Sequence, residues 1–168
     1  PGYRCGFLGL LHMDIIQERL EREAGVSVVQ TAPSVTYEVV LHDGTVKRVE
    51  SAGDLPDFGQ ILELREPIVE MSIITPADAI GSIMALAEQR RGEYKRTEYL
   101  SPTRVMMTYN FPFNEILYDF YDKLKSVTKG YGTMDYHVIA YRASDLVKLD
   151  ILVNSVPVDA LSLICHRS

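Results

Sequence analysis

Ile68-Val69-Glu70-Met71-Ser72-Ile73-Ile74-Thr75-Pro76-Ala77-Asp78-Ala79-Ile80 contains the change of period on which the fold turns. An apolar run of strand length stops at Thr75-Pro76, and Ile80, Ile83, Met84 and Ala87 then recur at three- and four-residue spacing. That period marks a helix with one buried stripe. Thr75 fits an N-cap, Pro76 the first helical position and Asp78 the closing residue of a capping-box pattern, while Gly92 reads as the stop after Arg90 and Arg91. Downstream, Tyr94 to Leu100 and Arg104 to Phe111 read as strands turned by Ser101-Pro102-Thr103. A second helix begins near Asn114 with a seam of Leu117, Phe120, Tyr121 and Leu124; Gly130 and Gly132 end it, and Met134, Tyr136, Val138 and Ala140 alternate as a last strand. The order β-α-β-β-α-β is the ferredoxin-like split βαβ plan. The expected fold class is α+β, an antiparallel sheet with two helices on one face.

Upstream of this unit, Leu10 to Glu23 is an amphipathic helix. Leu11, Met13, Ile15, Ile16 and Leu20 form its apolar side, Glu18–Arg22 is an i,i+4 pair, and Gly25 stands at the left-handed C′ position. Val26 to Val29 reads as a strand. Val35 to Leu41 and Val46 to Val49 form a hairpin about Asp43-Gly44. The Gly/Pro/Asp-rich loop from Ser51 to Gln60, with Leu55 and Phe58 as packing anchors, is the expected domain boundary. After the unit, Val147, Leu149, Ile151 and Val153 alternate toward a turn at Asn154-Ser155, and Val158 to Ile164 returns as the hairpin partner. The expected division is therefore 1–60, 61–143 and 144–168.

Composition removes several classes of function. At 168 residues, 46% apolar and 24% charged, the chain is of ordinary globular type, so disorder is excluded. No apolar run approaches the ~20 residues of a spanning helix. The start at Pro1 shows no charged n-region and no cleavage pattern, so no secretory signal is expected. Two cysteines, Cys5 and Cys165, cannot build a disulfide framework and read as reduced thiols. The net charge of −6 argues against non-specific wrapping of duplex DNA, yet it is unevenly spread: residues 1–66 hold 6 basic and 11 acidic side chains, residues 67–143 hold 9 of each. Basic residues gather at Arg90, Arg91, Lys95 and Arg96, and again at Lys123, Lys125 and Lys129. Solvated faces are the common meaning of such clusters; brought together, these could hold phosphates.

Catalytic chemistry has little to stand on. Neither a Walker-type loop nor a dinucleotide-binding glycine pattern is present. His12, His42, His137 and His166 are scattered, with no second ligand at helical spacing, so no metal site is expected. Cys5 has no base nearby. Tyr118, Tyr121, Tyr136 and Tyr141 read as core or core-rim residues, whereas Tyr131, between Gly130 and Gly132 and close to Lys129, could stack on a base or a partner.

The order of motifs supplies a resemblance. Arg4-Cys5-Gly6-Phe7-Leu8-Gly9-Leu10-Leu11-His12-Met13 and the helix after it, Thr31-Ala32-Pro33-Ser34-Val35-Thr36-Tyr37-Glu38, Glu66-Pro67-Ile68, Arg90-Arg91-Gly92 and Leu124-Lys125-Ser126-Val127-Thr128-Lys129-Gly130-Tyr131-Gly132 resemble the LepA (elongation factor 4) family of translational GTPases. Leu10 departs from the Glu common in the wider family, and Tyr131 replaces an Arg. About 30 residues separate the Tyr37 strand from Glu66-Pro67, as in LepA and BipA, where elongation factor G has a further domain; the ending Asp145 to Asp150, Val158 to Leu161 and His166-Arg167 is similar to LepA.

The resemblance implies an internal piece of a larger factor. Residues 1–60 would be the later half of a ferredoxin-like domain III with a hairpin and linker, 61–143 a domain V, and 144–168 the start of the C-terminal domain. It implies a non-catalytic ribosome-binding module acting in translation elongation, with back-translocation as the candidate step. GTP and magnesium would belong to a GTPase domain outside the chain. The implied partners are large-subunit RNA and stalk-base proteins, other domains of the same protein, and a second copy through the truncated domain III edge. The implied location is cytoplasmic, with peripheral association at the inner face of the membrane, for which these residues offer no amphipathic basic helix. Arg90, Arg91, Lys95, Arg96, Lys125 and Lys129 are expected to meet phosphate or acidic partners, and Tyr131 to stack. The alternative is a ferredoxin-like regulatory domain binding a small molecule.

Overall fold

The computed structural model describes Cys5, Phe7 and residues 10–28, 35–158 and 162–167, with the backbone alone at 10 and 11. Its spine is one long strand, β3 (Ile61–Pro76). The strands β1 (Tyr37–Leu41) and β2 (Val46–Val49) precede it, and β4 (Glu93–Ser101), β5 (Arg104–Pro112) and β6 (Thr133–Ala143) follow. β3 takes β5 along one edge, from Ile68 opposite Pro112 to Pro76 opposite Arg104, and β6 along the other, from Arg65 opposite Ala143 to Ile74 opposite Thr133. With β4 outside β5, the strand order β6-β3-β5-β4 is that of the expected split βαβ unit.

Alternation along these strands sends Val69, Met71, Ile73, Val105, Met107, Tyr109 and Phe111 to one face, where they are buried. Two helices lie over that face, α2 (Ile80–Glu88) and α4 (Phe120–Val127), through Ile83, Leu86, Ala87, Phe120 and Leu124. The Phe111 and Phe120 rings meet edge to face at 5.1 Å. Met84, expected on the buried stripe, is half exposed, and Leu86 takes its place.

The expected Thr75 cap does not form. Thr75 and Pro76 stay in the ladder opposite Val105 and Arg104, and the Ala77 amide donates to the Thr103 carbonyl at 2.9 Å. Cross-strand pairing outcompetes the cap, and one 3-10 turn (Ala77–Ala79) leads into α2. Gly92 is needed for a different reason from the one expected. Arg91 takes the left-handed conformation (φ 56°) at the end of α2, with its amide on Glu88 O and the Gly92 amide on Ala87 O (2.8 Å), a Schellman pattern. A Cβ on Gly92 would clash with the edge of the Phe111 ring and lie 2.9 Å from the Ala87 carbonyl. The second helix is broken as well: α3 (Phe113–Ile116) stops, and α4 restarts after Asp119. Asp119 receives Arg90 at 2.7 Å and Lys123 at 2.9 Å.

Leu117, expected on the seam, turns into a second core. There Val35, Tyr37, Val39, Leu41 and Val49 of the hairpin pack with Leu64, Leu146 and Ile164. β1 pairs with the first part of β3, so the hairpin continues the same sheet across the loop at 51–60. In that loop Leu55 packs on this core and Phe58 is exposed. Gly44 alone takes positive φ in the hairpin turn (82°); Asp43 instead accepts the Thr45 amide at 2.8 Å. The C-terminal segment folds back as β7 (Leu146–Leu149), the tip strands β8 (Leu152–Val153) and β9 (Val156–Pro157), and β10 (Leu163–His166). Its expected continuous alternation is interrupted at Asp150, which accepts Ser162 at 2.7 Å and Lys148 at 3.2 Å.

The N-terminal helix α1 (Leu10–Ala24) carries the expected Glu18–Arg22 pair at 2.6 Å and ends at Gly25 (φ 63°). Its Ile15 and Leu20 are exposed. Residues 26–28 form no strand. Val29, Thr31 to Ser34 and most of the residues 1–9 quoted above lie outside the described residues.

Candidate nucleic-acid interface

The turn after α4 is built around one buried hydroxyl. Thr128 Oγ1 donates to the Leu124 carbonyl at 2.7 Å and accepts the Gly132 amide at 2.8 Å, tying the helix end to the start of β6. The Gly130 amide reaches Lys125 O at 2.7 Å, and Lys129 (φ 53°) takes the left-handed position before it, the same C′ geometry as Arg91. Lys125 is anchored to this turn: its ammonium donates to Gly130 O at 3.3 Å and lies 5.4 Å from the Tyr121 ring centroid. Lys129 is exposed, and its ammonium has no ion pair or hydrogen bond among the described residues. Tyr131 is 72% exposed. The arrangement therefore presents an uncommitted cation and an exposed aromatic ring two residues apart on one hydrogen-bonded turn. Arg104, exposed at the start of β5, stands at the same end of the sheet.

The other basic cluster lies elsewhere. Arg91 is bound to Glu66, which opens the β6-paired half of β3, while Lys129 leads into Thr133 opposite Ile74. Eight residues of strand separate those levels, roughly 26 Å. The two clusters touch at Asp119, which Arg90 and Lys123 share, but Arg91 and Lys129 stand apart. Within the first, Arg90 and Arg91 turn inward. Arg91 donates to Glu66 at 2.5 and 3.3 Å, to Glu115 at 3.4 Å and to Ser144 Oγ at 3.2 Å. Burial lowers its pKa, but Glu66 and Glu115 outweigh it and hold the guanidinium above its ordinary value. Arg90 holds Asp119 and the Glu115 carbonyl. Lys95 and Arg96 stay outside on β4, paired with Glu93 (3.4 Å) and Glu98 (2.8 Å).

The partners of these arginines escaped the sequence reading. Thr128 was legible as a hydroxyl directly before Lys129-Gly130; Glu66, one of three acids in β3 with Glu63 and Glu70, and Glu115, Asp119 and Ser144 gave no signal that separates them from ordinary surface residues. Tyr118 and Tyr136, expected near the core, are exposed, and the buried tyrosines among the described residues are Tyr37 and Tyr109. Burial, then the charges of Glu66 and Glu115, push the Tyr37 hydroxyl well above the usual tyrosine range. The hydrogen bond from Lys123, with the Arg90 charge, holds Asp119 below the carboxylate range. Burial works the other way at Glu93, but Arg142 and Lys95 bring it down.

The sheet face away from the helices offers Ile68, Glu70, Ser72 and Ile74 of β3 with Met106, Thr108 and Asn110 of β5, none of them aromatic. On β6 the face adds His137, opposite Glu70, a single imidazole rather than a broad aromatic platform for base stacking. A cleft of about 230 Å³ between Glu66, Arg91, Glu93, Asn110 and Arg142 is lined by charges already paired with one another. Among the described residues no group of side chains could hold a metal ion, and no helix is long and apolar enough to cross a membrane.

Comparison with known proteins decides the lineage. Residues 63–152, more than half of the chain, match the family model of the elongation factor G C-terminus. The chain belongs to the elongation factor G C-terminus family. Among curated relatives it is 59% identical over 167 residues to elongation factor 4 of Chlorobium phaeobacteroides and 53% identical over 166 residues to that of Lacticaseibacillus casei, in both cases across 99% of its own length. It spans only 28% and 27% of those relatives. A crystal structure from Thermus thermophilus superposes with a TM-score of 0.60 at 15% identity, covering 80% of this chain and 33% of that one. That likeness concerns the fold alone, and it agrees with the α+β split unit of this family.

Proposed function

We propose that the chain is the ribosome-docking portion of an elongation factor 4-type translation factor acting in the cytoplasm during elongation. The observation that carries this reading is the hydrogen-bonded Lys129–Tyr131 turn, where an uncommitted ammonium and an exposed ring stand two residues apart in a chain whose relatives are named elongation factor 4. Lys129, Tyr131 and Lys125, with Arg104 beside them, form the first contact with large-subunit RNA phosphates and bases. Lys95 and Arg96 serve a separate, second contact on β4, at the opposite edge of the sheet, toward acidic stalk-base protein. Arg90 and Arg91 act by holding the shape. Hydrolysis of GTP with magnesium would use residues outside this chain. The segment 1–60 contributes to a second split βαβ unit, whose exposed Ile15 and Leu20 would meet other domains of the same protein or, in the isolated chain, a second copy.

Filter binding of the chain to ribosomes over a salt series tests the reading. Each phosphate contact removed lowers the slope of log affinity against log salt by about 0.7–0.9. Lys129→Ala should do so with unchanged thermal stability, and Tyr131→Ala should weaken binding with the slope intact. Wild-type affinity in both variants would reject the assignment.

A further inference from the structure

Among the described residues, β6 is an edge strand: its inner edge pairs with β3, and no described strand pairs its outer edge. Open edges are normally guarded by charge. The other outer strands are so guarded, β2 by Lys47 and Arg48 and β4 by Glu93, Lys95, Arg96 and Glu98. β6 carries formal charge only near its ends, at Asp135 and Arg142. Between them runs Tyr136-His137-Val138-Ile139-Ala140-Tyr141, without Pro or Gly, with Tyr136, Val138 and Ile139 exposed by 41%, 51% and 43%. Such a stretch favours strand pairing.

The register within β6 defines what fits this edge. Val69 lies opposite Val138 and Ile68 opposite Ala140, so Ile139 is the extra residue of a bulge. Residues opposite one another share a face, which puts Tyr136, Val138 and Tyr141 on the helix-covered side with Met71, Val69 and Pro67. Asp135 and Arg142 fall on the other side, opposite Ser72 and Glu66. Counting back from Tyr141 places Ile139 on the helix-covered side too, beside Val138.

We propose that β6 pairs antiparallel with β6 of a second copy, about a two-fold axis between Val138 and Ile139. A regular strand forbids this register, because adjacent residues would then have to share a face. The bulge permits it by placing Val138 and Ile139 on one face. Asp135 then lies opposite the partner's Arg142, twice by symmetry, Tyr136 opposite the partner's Tyr141, and Val138 opposite the partner's Ile139. Opposite charges, aromatic pairs and branched apolar pairs are the cross-strand combinations that stabilise a sheet, and an isologous contact closes at two copies. Arg142 also holds Glu93 across the open face. Glu93 lies on the inner side of β6, so pairing with the partner's Asp135 exchanges that contact for one across the outer edge.

Sedimentation velocity of the chain across a wide concentration range tests this pairing. A concentration-dependent dimer is expected. Asp135→Arg, which sets like charges opposite each other and leaves the Glu93–Arg142 pair in place, should raise its dissociation constant about tenfold. Ile139→Lys, an edge guard at the centre, should abolish it. The double reversal Asp135→Arg with Arg142→Asp should recover most of the loss, while Phe58→Lys, at an exposed position of the 51–60 loop, should leave the dimer intact. A monomer at every concentration overturns the proposal. So does a dimer indifferent to Asp135→Arg and Ile139→Lys, which would belong to another surface.

Discussion

Arg91→Ala is expected to damage the fold rather than the docking surface, and the size of the damage follows from its partners. The substitution removes two charge-assisted bonds to Glu66 and one each to Glu115 and Ser144. Glu66, 3% exposed, is left with a buried carboxylate and no cation. Breaking a buried pair in this way costs roughly 3–5 kcal/mol. The Arg91 side chain is 31% exposed, so water can enter the vacated space, and the expectation falls to about 2–3 kcal/mol. Arg91→Gly removes the same guanidinium but suits the left-handed φ of 56°, and should recover about 1 kcal/mol relative to alanine. Urea unfolding followed by circular dichroism reads both, with a midpoint shift on the order of 1 M for alanine. An Arg91→Ala protein within about 0.5 kcal/mol of wild type would refute the reasoning, as would a glycine variant no better than alanine.

Thr128→Val removes a donor and an acceptor from a buried site and should cost about 1–3 kcal/mol in thermal unfolding, with ribosome affinity falling as the Lys129 turn loosens. Phe120→Ala, at the centre of the helix-covered core, should cost about 3–5 kcal/mol in the same assay. Asp119 is held below its unfolded pKa, so its contribution is present above the ordinary carboxylate range and disappears as pH falls through the lower folded value; Asp119→Asn should flatten the acid limb of stability against pH. Tyr37 has the opposite sign. Its folded pKa is raised, so the fold loses stability once pH climbs past the ordinary tyrosine value, and Tyr37→Phe should reduce that alkaline loss in pH-dependent urea titrations.

The split βαβ order was legible because most of its elements have a strong period and a Gly or Pro at their end; β6, with its bulge and its end at Ala143, is the exception. Where two local options competed, the sequence misled. Thr75-Pro76 has the wording of a helix cap, yet the ladder to Val105 and Arg104 holds both residues in the strand. Gly92 looked like the helix stop, but it is the Phe111 ring that demands the glycine there, and Arg91 takes the left-handed turn. The candidate site was half legible. Lys129 and Tyr131 could be read from a lysine and an aromatic set among glycines. Neighbours in sequence hid the rest: Arg90 and Arg91 read as a surface cluster until partners 24 to 53 residues away, Glu66, Glu115 and Ser144, were placed around them. Charge partners at that separation leave no trace in local pattern. The second core, joining the first hairpin to Leu146 and Ile164, was hidden for the same reason.

Ribosome affinity of Lys129→Ala and Arg91→Ala, measured side by side across salt concentrations, bears on the docking assignment most directly. The account predicts a slope reduced by about 0.7–0.9 for Lys129→Ala at full stability, and for Arg91→Ala an unchanged slope at temperatures where it remains folded. An unchanged slope for Lys129→Ala together with a reduced one for folded Arg91→Ala would contradict it.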